Sequence, residues 1–458
     1  MSNTDFASLQ LQKPLLDNLI TLGYASMTPI QSQSLPAILD GKDVIAQAKT
    51  GSGKTAAFSL GILEKLNVRH FAVQSLILCP TRELADQVAK EIRKLARAIH
   101  NIKVLTLCGG MPFGPQVGSL EHGAHIIVGT PGRIEEHLRK GTLVLDNVST
   151  LVLDEADRML DMGFQEVLDL IISFTPDQRQ TLLFSATYPE EIHQIAERVM
   201  QSPVMVKAES VHDAASIQQH FYEVGSDDER AGAVMTLLLE YRPSTAVVFC
   251  NTKRETQSLA DYLKNQGFDA LALHGDLEQR DRDQTLVRFS NHSISVLVAT
   301  DVAARGLDIA ALDAVINYQI ARETEVHVHR VGRTGRAGSH GMAFTLYTPS
   351  EDYKLERLAA YLEEPARPES LPHLSGEKPY RAPMVTLQIG GGKKQKIRPG
   401  DIVGALTGAG GVSGDDIGKI AIFDNTAFVA VKRKVSSHAI EKLGTGRLKG
   451  KQYRVRYI

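Results

Sequence analysis

Asp154 and Glu155 follow directly on the apolar run begun by Thr150 and Leu151, within LVLDEADRML (151–160). Such a run reads as a buried strand of a parallel sheet. In open parallel sheets ligands bind beyond the strand C-termini. Paired carboxylates there suit a hydrated Mg²⁺: one holds the metal through water, and the next takes a proton from an attacking water. The same pair would also suit an acidic helix N-terminus. Taken alone, the two readings weigh about evenly.

A second constellation lies upstream. Val44–Thr55, VIAQAKTGSGKT, runs from a short apolar strand into a glycine-rich turn. Gly51, Ser52 and Gly53 would let backbone N–H groups close around phosphate oxygens. Lys54 is placed for the β- and γ-phosphates, and Thr55 for Mg²⁺ at a helix N-terminus. The usual pattern begins with Gly, where this chain has Ala48. Strand context, Lys-Thr and the downstream acids together point to a nucleoside triphosphatase with Asp154 and Thr55 at the metal. Gln31, in a segment where Thr28-Pro29 starts a helix, offers the donor and acceptor an adenine edge needs. A surface Gln is the commoner meaning of such a residue.

The elements that must position these groups alternate strand and helix. SLILCPTRELADQVAKEIRKLA (75–96), KVLTLCGG (103–110), AHIIVGTPGR (124–133) and QTLLFSAT (180–187) each end a strand on small, hydroxyl or basic residues. Free N–H groups, hydroxyls and arginines there can follow a phosphate backbone without reading bases. The spacing predicts a doubly wound α/β domain over 1–207. A short linker (208–215) then leads into a second alternating unit that extends to 365. That unit contains STAVVFCNTK, DALALHGDLEQRDRD, SVLVATDVAARGLDIA and VHVHRVGRTGRAGSHG. It has no second GxGKT, so it is expected to serve the first domain's site.

Charge is divided unevenly. The net charge is −2, yet residues 380–458 hold fifteen Lys and Arg against five Asp and Glu, a net +10, leaving −12 on the rest. A small basic end on an acidic body suggests a polyanion-binding module, with a merely solvated basic surface as the alternative. Cys79, Cys108 and Cys250 lack CxxC spacing, which argues against zinc and disulfides and favours a reducing cytoplasm. No apolar run of membrane-spanning length and no signal-like start is present, so neither a membrane nor a secretory route is expected.

With these strings in place, Phe6 to about Tyr347 resembles the DEAD-box ATP-dependent RNA helicases of superfamily 2. The matching motifs, in order, are GYASMTPIQ, AKTGSGKT, PTRELA, GG, TPGR, DEAD, SAT, FCNTK, HGDLEQRDR, TDVAARGLD and HRVGRTGR. The resemblance implies two RecA-like domains that close on ATP and RNA together. Phe6 and Gln31 would then bind adenine and Asp308 the ribose. Lys54 and Asp154 would serve catalysis beside Glu155, which activates the water, and Arg333 and Arg336 would be arginine fingers. Ser185 and Thr187 would couple nucleotide state to RNA grip, with Asp157 and His329 meeting across the cleft. RNA would run along Pro80, Thr81, Arg82, Gly110, Thr130, Pro131, Arg133, Gly275 and Thr300. Local unwinding by strain is likewise implied.

Residues 366–382 are Pro-rich and read as an exposed linker. From 383 to 458 the order is βαββαβ, the topology of an RNA-recognition motif, with a hairpin at Asp424-Asn425. DNTAFVAV lacks the usual basic-Gly-aromatic start, although Phe428 matches one aromatic position. Base stacking on this sheet is therefore doubtful. Lys393, Lys394, Lys396, Arg447, Lys449, Lys451, Arg454 and Arg456 offer another basic surface. Such a tail on such a core resembles the bacterial DbpA group. That implies a 23S rRNA hairpin and 50S assembly intermediates as partners of a monomeric enzyme. An ATP-gated RNA clamp or scaffold and a general RNA helicase are the alternatives.

Overall fold

The computed structural model describes residues 4–48, 51–208, 217–304, 312–335, 341–362, 365–373 and 376–458. Asp308 and Arg336 therefore lie outside the described residues.

The first sheet holds β1 (Val44–Gln47), β2 (Ser75–Leu78), β3 (Val104–Leu107), β4 (Ile126–Gly129), β5 (Thr150–Asp154), β6 (Gln180–Ser185) and β7 (Val204–Lys207). Its order is β3-β4-β2-β5-β6-β1-β7, and every pairing is parallel. Side chains alternate between its two faces. Ala46, Ile77, Val152 and Phe184 pack on one side with Phe58 and Leu60, whereas Ile45, Leu78, Leu153 and Leu183 pack on the other with Ile134, Met159 and Ile192. This double burial is why β5 and β6 read as continuous apolar runs rather than alternating ones.

The second sheet repeats the scheme with β8 (Ile217–Glu223), β9 (Ala246–Cys250), β10 (Ala270–Leu273), β11 (Val296–Thr300), β12 (Ala314–Asn317), β13 (Gly341–Tyr347) and β14 (Pro368–Glu369). The order is β10-β11-β9-β12-β13-β8-β14. The third sheet, β15 (Met384–Ile389), β16 (Ile417–Ile422), β17 (Ala427–Lys432) and β18 (Val455–Tyr457), is antiparallel in the order β16-β17-β15-β18. Helices Pro399–Thr407 and Ser436–Thr445 pack on one face through Leu387, Ile389, Val429, Ile402, Leu406, Ala439 and Leu443. Two parallel sheets and a small βαββαβ unit make up the α/β architecture expected from the sequence.

The connector between the second and third sheets is mostly solvent-facing but not free. Pro368–Glu369 adds an edge strand beside β8. The Tyr380 hydroxyl donates to the Pro243 carbonyl at 2.7 Å, the Arg242 guanidinium lies 5.2 Å over its ring, and Phe268 meets it edge-on. Strand pairing and aromatic packing, neither visible in a Pro-rich composition, tie this exposed segment to the second domain.

Candidate nucleotide site and RNA-facing surfaces

Strands β5, β6 and β1 are neighbours, so the segments that leave their C-terminal ends converge. Gly51 and Gly53 adopt φ +85° and +95°, a left-handed backbone that glycine reaches without strain. A Cβ on Gly53 would stand 2.5 Å from Gln31 Nε2 and 3.0 Å from Thr28 Oγ1, so glycine is needed there for space as well. The helix Lys54–Lys65 opens directly after it. Lys54 is 5% exposed, and its Nζ, like Ser52 Oγ and Ser185 Oγ, is buried without a hydrogen-bond partner among the described residues. Buried polar atoms are ordinarily satisfied. Lys54 and Ser52 belong to the glycine-rich turn and Ser185 ends the adjacent strand β6, a set of buried donors that fits a polyphosphate.

The acids fit the same picture. Asp154 is 2% exposed, and its carboxyl is pushed up to about 7, first by burial, with Lys54 opposing and Glu155 adding to the rise. A buried carboxylate beside one lysine and a second acid is under-compensated. A divalent cation with its water shell would supply the missing positive charge. Glu155 caps the next helix at φ +52°, a strained position for a non-glycine residue. Asp157 Oδ2 accepts from the Thr187 amide at 3.0 Å and its hydroxyl at 2.9 Å, which ties the DEAD turn to the SAT strand inside one domain.

Gln31 is 2% exposed and already engaged. Its Oε1 accepts from the Thr28 amide at 2.9 Å, and its Nε2 donates to the Gly53 carbonyl at 3.1 Å. The surface alternative is thus excluded. The amide braces the phosphate loop and keeps one N–H and one lone pair for a base edge. Phe6 is buried edge-to-face against Tyr24, at 6.2 Å and 84°.

Along the same domain, Thr81 caps the helix Arg82–Leu95 by accepting from the Leu84 amide. Thr130 precedes Pro131 and receives the Gly109 amide at 3.4 Å, and Gly110 turns at φ +71°. Arg133 binds Glu136 at 3.0 Å, donates to the Met111 carbonyl at 3.0 Å and stacks 5.7 Å over Phe113. It is held by its own domain more firmly than its motif suggests. In the second domain Gly275 follows β10 and Thr300 ends the adjacent strand β11, and Thr300 Oγ1 accepts from the Ala303 amide. His329 and Arg333 lie on and just beyond the helix Thr324–Val331.

Sequence reasoning passed over Arg330, which the structure leaves only 2% exposed. Its guanidinium binds both oxygens of Asp301 at 2.7 Å, Asn251 at 2.8 Å and the Gln319 carbonyl at 3.0 Å. It thereby locks together the turns that follow β9, β11 and β12. Its place beside His329 was the available signal.

The tail shows the opposite arrangement on its outer face. Thr386 and Ala430 are paired in register and 0% exposed, because Thr386 Oγ1 bonds Ser293 Oγ at 2.6 Å and Asn291 Nδ2 at 3.2 Å. Asp269 receives Arg381 at 3.0 Å, Arg433 at 2.9 Å and the Ala382 amide at 2.8 Å. Phe428 is 3% exposed against Phe423. The sheet face that would stack bases is therefore docked on the second helicase domain. What stays open is one end of the sheet. There, exposed Lys393 and Lys394 hang from the 423–424 hairpin by backbone bonds, exposed Lys396 donates back to the Lys393 carbonyl, and the Gly390 amide donates to the carbonyl of exposed Arg454. Arg447, Lys449 and Lys451 lie nearby on the loop that Lys449 ties to Asp401 at 3.1 Å.

Three family models cover this organisation: DEAD/DEAH box helicase over residues 28–195, helicase conserved C-terminal domain over 229–338, and DbpA RNA binding domain over 386–457. The chain belongs to the DEAD-box helicases. Within them it belongs to the DbpA group of ATP-dependent RNA helicases. It is 53% identical to the ATP-dependent RNA helicase DbpA of Escherichia coli over 99% of this chain and 100% of that one. It is 37% identical to the Bacillus subtilis protein of the same name over 98% of each. Among solved structures, S. cerevisiae Dbp5 bound to RNA and ADP BeF3 matches with TM-score 0.73 and 28% identity over 81% of this chain and 96% of that one. Among the described residues no helix is long and apolar enough to cross a membrane.

Proposed function

We propose that this helicase remodels ribosomal RNA during assembly of the large subunit, directed to a 23S rRNA hairpin by the basic end of its tail. The observation that carries the reading is the tail itself. It is a +10 module with its sheet face closed by docking and its lysine loop left open. RNA held there would sit at a fixed place relative to the second helicase domain. Seven exposed bases suit an RNA backbone, and counterion release would supply most of the affinity.

On this reading ATP lies against Gln31 and the glycine-rich turn, with Lys54 on the terminal phosphates. Asp154 and Thr55 would hold Mg²⁺, which would neutralise charge on the phosphate oxygens. Glu155 takes the proton of the attacking water, and Arg333 with Arg336 stabilises the charge that develops. Phe6 backs the adenine and Asp308 the ribose, while Asp157 and His329 meet on closure. The RNA strand follows Pro80, Thr81, Arg82, Gly110, Thr130, Pro131, Arg133, Gly275 and Thr300, and Ser185 and Thr187 relay its presence to the nucleotide. Because the charges are divided between two domains, RNA and ATP favour the same closed state and assist each other's binding. The enzyme works as a monomer in the cytoplasm.

The test replaces Lys393, Lys394 and Lys396 together by Ala. ATPase half-saturation by 23S rRNA is expected to rise at least tenfold, and that by unstructured RNA to change little. An equal change for both RNAs would leave a general RNA helicase. Retention of RNA with ATP and no strand-displacement product would leave an RNA clamp.

A further inference from the structure

Asp86 is an acid set among residues assigned to the RNA track. The helix Arg82–Leu95 begins with Arg82, a cation where the helix dipole disfavours one. Helix stability therefore does not account for that arginine. One turn on, Asp86 Oδ2 lies 4.0 Å from Arg82 Nε, with base before acid, the order that supports a helix less well. The Cys108 thiol, two residues before Gly110, is pushed up to about 12 by burial first and by the Asp86 carboxylate next. Burial raises the Asp86 carboxyl as well, against the pull of Arg82, Lys90 and Arg93 and with a small push from Glu83. The acid thus acts electrostatically both on Arg82, 4.0 Å away, and on Cys108, whose neighbour Gly109 bonds Thr130.

We propose that Asp86 sets how tightly the first helicase domain grips RNA. Its carboxylate is one counter-ion of Arg82, and an incoming RNA phosphate would compete with it. Exchange of one anion for another yields little net attraction, so unspecific RNA is held weakly and selection falls to the tail. The inference rests on the proposed RNA track through Arg82.

The test measures binding of a fluorescent single-stranded oligoadenylate to the full chain, with a non-hydrolysable ATP analogue, across a salt series. Asp86→Asn keeps the side chain's shape and removes its charge. Removing a like charge ~6 Å from a phosphate at an effective dielectric of 40–80 corresponds to ~3–10-fold tighter binding. The log–log salt slope should also steepen by ~0.7. Asp86→Ala should shift the affinity in the same direction. Unchanged or weaker binding in both variants, while Arg82→Ala still weakens binding, would overturn the inference alone. No effect of Arg82→Ala would overturn the RNA track and the inference with it.

Discussion

The nucleotide site and the tail dock treat buried polar atoms in opposite ways. At the glycine-rich turn, Lys54 Nζ, Ser52 Oγ and Ser185 Oγ are enclosed and unpartnered. At the dock, Thr386, Asn291 and Ser293 are equally enclosed and half-buried Asp269 lies beside them, and each is bonded. Desolvating a polar group without a partner costs about 1–3 kcal/mol, so unpartnered atoms clustered beside a glycine-rich turn favour a ligand there, whereas the bonded set at the dock favours an assembly joint. A four-stranded sheet that reads as an RNA platform is, in this chain, half joint and half platform.

The largest effects should come from the orphaned side. Lys54→Ala is expected to abolish measurable ATP binding, and retained affinity in a fluorescent-nucleotide titration would remove Lys54 from the phosphates. Glu155→Gln should bind ATP and RNA yet hydrolyse ~10²–10⁴-fold more slowly, the range for losing a general base. Normal single-turnover hydrolysis would contradict its role. On the satisfied side the effect is smaller. Thr386→Val leaves Asn291 and Ser293 unpaired and should destabilise the joint by about 1–3 kcal/mol. The rRNA preference should fall several-fold, while ATPase with unstructured RNA is kept. Loss of both activities alike would make the joint a plain stability element.

Acidification separates the regions more gently. Burial pushes His137 down to about 4 and His327 to about 3, both from 6.5. Each must stay neutral to remain folded, so its stabilisation is complete above pH 6.5 and is lost as pH falls from there through the folded values. The tail's single histidine, His438, is exposed. Hydrogen exchange at pH 7 and pH 5 should therefore show protection falling in both helicase domains before the tail sheet. Earlier loss in the tail would contradict this ordering.

How much was legible in the sequence follows the same division. Glycines at Gly51 and Gly53, strand-end acids at Asp154 and Glu155, and apolar runs buried on both faces are local patterns, and all reappear in the fold. The dock was not legible, because Asp269, Asn291 and Ser293 meet Arg381, Arg433 and Thr386 across 93 to 164 residues with no motif to announce them. Phe428 shows the limit most clearly. Its type suited a stacking platform, yet its position against Phe423 buries it. Gln31 shows the converse, since a residue of weak local meaning is fixed to the phosphate loop by two hydrogen bonds.

The most direct test of the central claim is the ATPase rate of the full chain with intact 23S rRNA against an equal mass of unstructured RNA, at saturating ATP and subsaturating RNA. At least tenfold stronger stimulation by 23S rRNA is predicted for an enzyme directed by its basic tail. Equal stimulation by both RNAs would contradict that claim and reduce the tail to a source of general affinity.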